Sequence, residues 1–242
     1  MSTALFGQAG LEANLGHFDE ARELFNRSRA LLEEVALPVW IAGGLSQAIG
    51  WALLLEGRPE DAEQELRRGC ETLREIGEVS LLSTVAGILA EAIYAQDRYE
   101  EAAHFTRVSE KAAGAEDVYS QLLWRSVRAK CLARQGNLPP ALELARESAT
   151  LIEKTDSLDL RWHALMSQAE VLRAAGRPLE AEAALRGALR AAEQKGNVVA
   201  ARLSRDALAL YSPGEAVRGG PSGPSSASPP PTSTGSAPRP SR

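Results

Sequence analysis

Aromatic residues make up only 5% of the 242 positions, against 44% hydrophobic residues in all, so alanine and leucine must build most of the interior. That balance favours closely packed helices over a sheet. Cysteine is scarce too. Cys70 and Cys131 fall on different segments and read as two buried thiols of a cytosolic protein, where disulfides are rare. His17, His104 and His163 are scattered without metal-ligand spacing, so neither a metal site nor a cofactor is expected. The chain lacks a G-x-x-x-x-G-K-[ST] stretch, which removes the phosphate-cradling loop of a nucleotide hydrolase. It also offers no Ser/His/Asp set beyond coincidence. No enzyme activity is expected of it. Met1-Ser2-Thr3 has no basic start, so no signal peptide is expected. The most apolar run, residues 79–95, is 17 residues long and carries Glu91, whereas a span needs about 20 apolar residues. A soluble, cytoplasmic protein without a membrane partner is expected. Positive charge is short as well: net charge is −5, and residues 212–242 carry Arg218, Arg239 and Arg242 against Glu215, leaving the body at −7. An acidic body argues against a nucleic-acid footprint.

What the chain does have is a period. Ala21, Ala62, Ala102, Ala141 and Ala181 follow one another at steps of 41, 40, 39 and 40 residues. Five residues before them stand Gly16, Gly57, Asp97, Gly136 and Gly176. Twelve before stand Ala9, Gly50, Ala90, Ala129 and Ala169; seven after stand Ser28, Gly69, Ser109, Ser148 and Ala188. Three small positions and one turn residue per repeat are what closely packed antiparallel helices need, because a large side chain would force the axes apart. The turn residue ends the first helix in the left-handed conformation, which glycine adopts freely and aspartate better than most.

Each repeat therefore reads as helix, short turn, helix. First helices are expected over 3–15, 40–56, 80–96, 119–135 and 159–175, and second helices over 18–35, 59–76, 99–113, 138–154 and 178–195. Proline and acidic residues open the second helices, as in Pro59-Glu60-Asp61-Ala62. Glu63→Arg67 and Glu182→Arg186 support their outer faces. A last helix over 198–211 is expected to cap the array. The fold class is thus all-α, a superhelical solenoid of five helical hairpins plus a C-terminal capping helix, with almost no contacts between distant repeats. Residues 1–211 form this repeat domain. Residues 212–242 hold 8 of the 13 prolines and read as a disordered tail: a linker, a short Pro-rich ligand around Pro229-Pro230-Pro231, or a segment without function.

The small-residue pattern, the glycine before the second helix and the alanine within it resemble tetratricopeptide repeats. The period exceeds that family's 34 residues, and Arg125 and Arg128 stand where its pattern has an aromatic and a leucine. Residues 80–86, 94–102, 116–130 and 169–178 further resemble the C-terminal repeat region of bacterial signalling proteins in which an adenylate/guanylate cyclase domain and an ATPase module precede helical repeats. That resemblance spans roughly residues 1–210 and implies the non-catalytic end of such a protein, either a regulatory sensor segment or a stand-alone product acting with a cyclase or ATPase module. The tetratricopeptide resemblance implies a protein-interaction scaffold with a protein or peptide partner.

In tetratricopeptide arrays the first helices line a concave groove. Mapped from the recurring alanines, the groove candidates here are Gln47, Trp51, Glu91, Tyr94, Ser126, Lys130, Arg134, His163, Glu170 and Arg173. Trp51, Glu91, Lys130 and Glu170 share one register, which sets Lys130 exposed between two carboxylates. That row is either a solvated salt ladder or a polar floor for a peptide, and Lys130→Glu is expected to fold normally but to bind its partner markedly less well. Asparagine appears among the groove-facing positions only at Asn14, so the carboxylate clamp of chaperone-tail binders is not expected. Trp40, Trp124 and Trp162 read as packing between repeats rather than as ligand contacts.

Overall fold

The computed structural model describes residues 2–211, which form eleven helices and no strand. They are α1 (Ser2–Leu15), α2 (Phe18–Glu34), α3 (Pro38–Glu56), α4 (Pro59–Ile76), α5 (Val79–Tyr94), α6 (Tyr99–Ala112), α7 (Val118–Arg134), α8 (Leu138–Ile152), α9 (Leu158–Ala174), α10 (Pro178–Lys195) and α11 (Val198–Tyr211). Consecutive pairs make five hairpins, and α11 packs on the last of them. The tail expected over 212–242 lies outside the described residues.

The period of small residues does the work expected of it. All five recurring alanines are at most 1% exposed, with Ala9, Ala90, Ala129 and Ala169 buried opposite them. Gly69 shows why size matters there: a β-carbon on it would stand 2.7 Å from the backbone oxygen of Ala42. Every hairpin turn contains one left-handed residue, with φ of 81° at Gly57 and 60° at Asp97. Each following second helix opens without a side-chain cap, two of them with proline directly at the start. Three first helices, α5, α7 and α9, and the capping helix α11 open differently. Glu78, Asp117, Ser157 and Asn197 each accept a hydrogen bond from a free backbone N–H of the helix that follows, the last from Ala200 at 2.9 Å.

α3 carries a π-turn over Ile41–Leu45. The Ser46 backbone N–H closes this wider turn on Ile41 O, and the Ser46 hydroxyl lies 3.0 Å from the same oxygen. Gly43 lies within this turn, where a β-carbon would meet Leu81 of α5 at 2.5 Å. α3 is long and apolar enough to cross a bilayer by length and composition, and it packs against α1, α2, α4 and α5. α5, the most apolar run of the sequence, is buried from Ser83 to Ala90 and again from Ala92 to Tyr94.

Contacts lie mainly between neighbouring repeats, as expected, and a few side chains reach further. The superhelix winds tightly enough for α1 to meet α11, where Asn197 Nδ2 donates to Asn14 Oδ1 at 2.9 Å across 183 residues. Inside the curve Trp51 Nε1 donates to the Tyr119 hydroxyl at 2.8 Å, joining the second hairpin to the fourth. Short first-helix side chains at the packing positions draw the helices together, so long side chains next to them reach across the axis.

Candidate partner-binding face and its interior floor

Most of the mapped groove positions face the superhelix axis, and there they form a network rather than an open row. Lys130 Nζ on α7 lies 2.5 Å from Glu91 Oε1 on α5. His163 on α9 approaches the other oxygen, Oε2, at 3.2 Å. Lys130 also sits 4.3 Å from the centre of the Tyr94 ring, close enough for a cation–π contact. One turn along, the Tyr94 hydroxyl donates to Glu170, and Arg134 Nη2 closes on the same carboxylate at 2.6 Å. Trp51 stands edge-on to His163 with ring centres 5.2 Å apart.

This arrangement corrects the expected charge ladder. Lys130 is only 4% exposed and is not shared between Glu91 and Glu170. Glu91 takes Lys130, and Glu170 takes Arg134. Each carboxylate has its own cation because the helices converge and the long side chains are fixed one against one. His163 is 5% exposed, so it too belongs to the floor. Ser126 does not face the axis. Its hydroxyl meets that of Ser148 at 2.7 Å inside its own hairpin, which makes it a packing position. Gln47 is half-buried on α3, and Arg134 and Arg173 are exposed at the C-terminal end of the inner face.

The electrostatics follow from this packing. Burial alone would raise the Glu91 carboxyl, but the Lys130 charge and the His163 hydrogen bond outweigh it and hold that group well below the usual carboxylate range. Burial, with Glu170 alongside, pushes the Tyr94 phenol up. Burial pushes the Tyr119 phenol up to about 12. It does the same to the thiols of Cys70 and Cys131, each pushed up to about 12. Both cysteines are free and buried, so their sulfurs stay protonated and unreactive at neutral pH. Among the described residues, no three His, Cys, Asp or Glu side chains converge as a metal site would require.

Beside the network a cavity of about 300 Å³ opens toward the end of the axis where α1 meets the α10–α11 turn. Trp51, Tyr119 and His163 separate the two. The Asp159–Lys195 ion pair, at 3.0 Å, stands among its walls.

The tryptophans divide. Trp162 donates to Ser204 Oγ of α11 at 3.0 Å and does pack between repeats. Trp124 is buried with the guanidinium groups of Arg125 and Arg128 at 4.0 and 4.5 Å from its ring. Those two arginines, the departures from the repeat pattern, are thus covers for Trp124 and are further held by Glu147 and Glu110. Trp40 instead is 48% exposed at the start of α3. The residues that sequence reasoning left out are Tyr119, which ties down Trp51, and Asn197, which caps α11 and closes the ring. An N-cap pattern at Asn197-Val198-Val199-Ala200 carried the second signal; nothing local marked the first.

These features define the class of fold as a tetratricopeptide-like superhelical solenoid. A model of the tetratricopeptide repeat matches residues 50–68, the turn and flanking helices of the second hairpin. Among solved structures, TTC0263, a thermophilic tetratricopeptide-repeat protein of Thermus thermophilus, is 20% identical, with 87% of this chain and 100% of that one covered at a TM-score of 0.57. BtubC (BKLC) from P. vanneervenii is 16% identical over 93% and 85% of the two chains, with a TM-score of 0.56. Rap protein complexed with Competence and Sporulation Factor is 15% identical over 87% of this chain and 63% of that one, with a TM-score of 0.54. At these identities the likeness is one of fold. No curated protein matches the chain.

Proposed function

We propose that this chain is a non-catalytic tetratricopeptide-repeat scaffold, cytoplasmic and soluble, that holds a protein or peptide partner on its curved inner face. The observation that carries the reading is the convergence of side chains from successive first helices, α3, α5, α7 and α9, on one concave face. Such a face gives a partner contacts with several repeats at once. Rap protein, a structural neighbour, is described in complex with Competence and Sporulation Factor, which supports the use of such a fold for holding a partner. Within the mapped groove, Glu91, Lys130 and His163 form the floor, and Gln47, Arg134, Glu170 and Arg173 are the groups that reach the surface for contact. The test is capture of a partner with the purified chain as bait, then titration of that partner against Arg173→Glu and, on the outer face, Arg190→Glu. Weaker binding by the first variant alone is expected. Equal affinity for both would remove the inner face as the recognition surface.

A second reading rests on the sequence resemblance at residues 80–86, 94–102 and 116–130. In it the chain is a regulatory repeat segment for a cyclase or ATPase module, in cis or on a separate chain. A cyclase or ATPase domain encoded directly upstream would favour it. Recovery of partners unrelated to either module would count against it.

A further inference from the structure

The junction between α2 and α3 departs from the other inter-repeat turns in three ways. After α4 and α10 the left-handed residue is a glycine, Gly77 or Gly196, whereas here Ala36 takes that conformation with φ of 52°. A β-carbon makes it costly. The π-turn over Ile41–Leu45 follows at once. It holds one residue more than an α-turn, which rotates the start of α3 by about 100° against the rest of the helix, and turns of this kind recur at functional sites. The third departure is apolar surface left in water: Val35, Leu37 and Trp40 are all exposed.

The next repeat extends that surface. Pro38–Trp40 packs against α4, and Gly43 faces Leu81 of α5, so the end of α4 and the start of α5 lie beside the junction. They add Ile76 and Val79, both exposed. Half of the ten large hydrophobic side chains exposed among the described residues thus lie on two adjacent inter-repeat edges. Scattered single residues need no explanation, but a grouped patch marks an interaction surface.

The charges around the patch select its partner. Carboxylates elsewhere on the second helices are matched, Glu63 and Glu101 by Arg67 and Arg98, Glu180 by Arg177 and Glu182 by Arg186. Glu33, Glu34 and Glu75 are exposed and have no ion pair among the described residues. Glu78 accepts from the Ser80 and Leu81 N–H groups. Arg74 is the only cation in residues 33–40 and 74–79, which together carry a net charge of −3. Like charge therefore disfavours a second copy of this edge, an anionic bilayer and nucleic acid alike.

We propose that this edge docks a lysine- or arginine-rich segment of a partner protein that also carries large apolar side chains. The apolar side chains cover Trp40 and its neighbours, and the cations meet Glu33, Glu34 and Glu75 at the rim. This surface is separate from the inner face, so the proposal goes beyond the scaffold reading there and does not rest on it.

The test is titration of the ¹⁵N-labelled full chain with synthetic peptides of equal length, one of leucine and lysine, one of leucine and glutamate, and one of serine and lysine. The leucine–lysine peptide is expected to shift the amide resonances of Val35–Trp40 and Ile76–Val79 saturably, and the other two to leave them in place. Glu33→Lys with Glu34→Lys reverses the charge in the last turn of α2, where a cation suits the helix end. Its melting midpoint should be unchanged or higher, while affinity for the leucine–lysine peptide falls about tenfold. Trp40→Ser is expected to weaken binding by a similar factor, as loss of an aromatic anchor does. Should Trp40→Ser fail to fold, the charge variant remains decisive. The same charge change at Glu20 and Glu23, in the first half of α2, should leave affinity within about twofold, because salt screens charges at that range. A tenfold loss shared by that control, absence of shifts at the two edges, or equal shifts with the leucine–glutamate peptide would overturn the proposal. So would shifts at these resonances that grow with protein concentration alone, which would give the edge to a second copy, or that appear with phosphatidylcholine vesicles, which would give it to a bilayer.

Discussion

On the outer face of the array, Glu182 and Arg186 meet at 2.6 Å one turn apart on α10, with the arginine side chain 64% exposed. On the inner face, Glu91 and Lys130 meet at 2.5 Å from different hairpins, with the lysine almost wholly enclosed. The chemistry of the two pairs is the same and their surroundings are not. Water screens the outer pair and leaves it worth about 0–1 kcal/mol. The inner pair has given up its hydration, so each partner depends on the other, and removing one leaves an uncompensated charge. The inner face is thus a piece of interior that contains charges, and a charge change there acts on folding before it acts on binding.

The largest effect expected from that contrast is at Lys130. Lys130→Met leaves Glu91 with His163 as its remaining polar partner among the described residues, and breaking a buried pair in this way costs about 3–5 kcal/mol. Urea unfolding should show a lowered midpoint, and Lys130→Glu should be worse. The double variant Lys130→Met with Glu91→Met should recover most of the loss. A Lys130→Glu protein as stable as the native chain would mean that the inner face is open to water after all.

Packing comes next. Gly69→Val at the α3–α4 crossing puts a side chain against the Ala42 backbone, and overpacking of this kind costs about 1–3 kcal/mol. The same change at Gly57 would act through its φ of 81° instead, since the space around it is empty.

A smaller effect is expected from acid. The Glu91 carboxyl is depressed in the folded state below its ordinary 4.5, so its contribution is fully present above that pH. It is lost as pH falls through the lower folded value. Stability measured by urea unfolding should therefore drop below about pH 4.5, and Glu91→Gln should flatten that drop while lowering stability at neutral pH. An acid limb identical in the two proteins would place its origin in other carboxylates, such as Glu63, which hydrogen bonds from Gln96, Arg67 and Arg98 hold down.

Least of all is expected at the surface pair. Arg186→Ala should move stability by less than about 1 kcal/mol, and salt should erase even that. A larger loss would show that outer pairs contribute through their methylene stems, which pack along the helix.

The hairpins were legible in the sequence because their determinants are local. The five alanines, the small partners twelve before and seven after, and the left-handed turn residue specify how one helix lies on the next within about forty residues. Helix limits followed to within two residues at every end. The N-caps at Glu78, Asp117, Ser157 and Asn197 were readable by the same local logic and sharpen three first-helix starts and that of α11. The inner face was only half legible. Its residues were placed on the right helices, and Glu91 and Lys130 in reach of each other. Ser126 was turned the wrong way, and Lys130 was given two carboxylates and an open setting. Which side chain meets which across the axis depends on the pitch of the superhelix, and a small change of angle per repeat, summed over five, decides whether α1 and α11 meet.

By itself, then, the sequence determined an all-α array of five hairpins with a cap, since periodic small residues and turn residues act between neighbours and need no knowledge of the rest. Tertiary structure alone decided that the array closes on itself through Asn14 and Asn197, that Tyr119 fixes Trp51, and that Lys130 is an interior charge. Those facts belong to residues 39 to 183 positions apart in the chain. Only the accumulated curvature of the superhelix brings them within a hydrogen bond of one another.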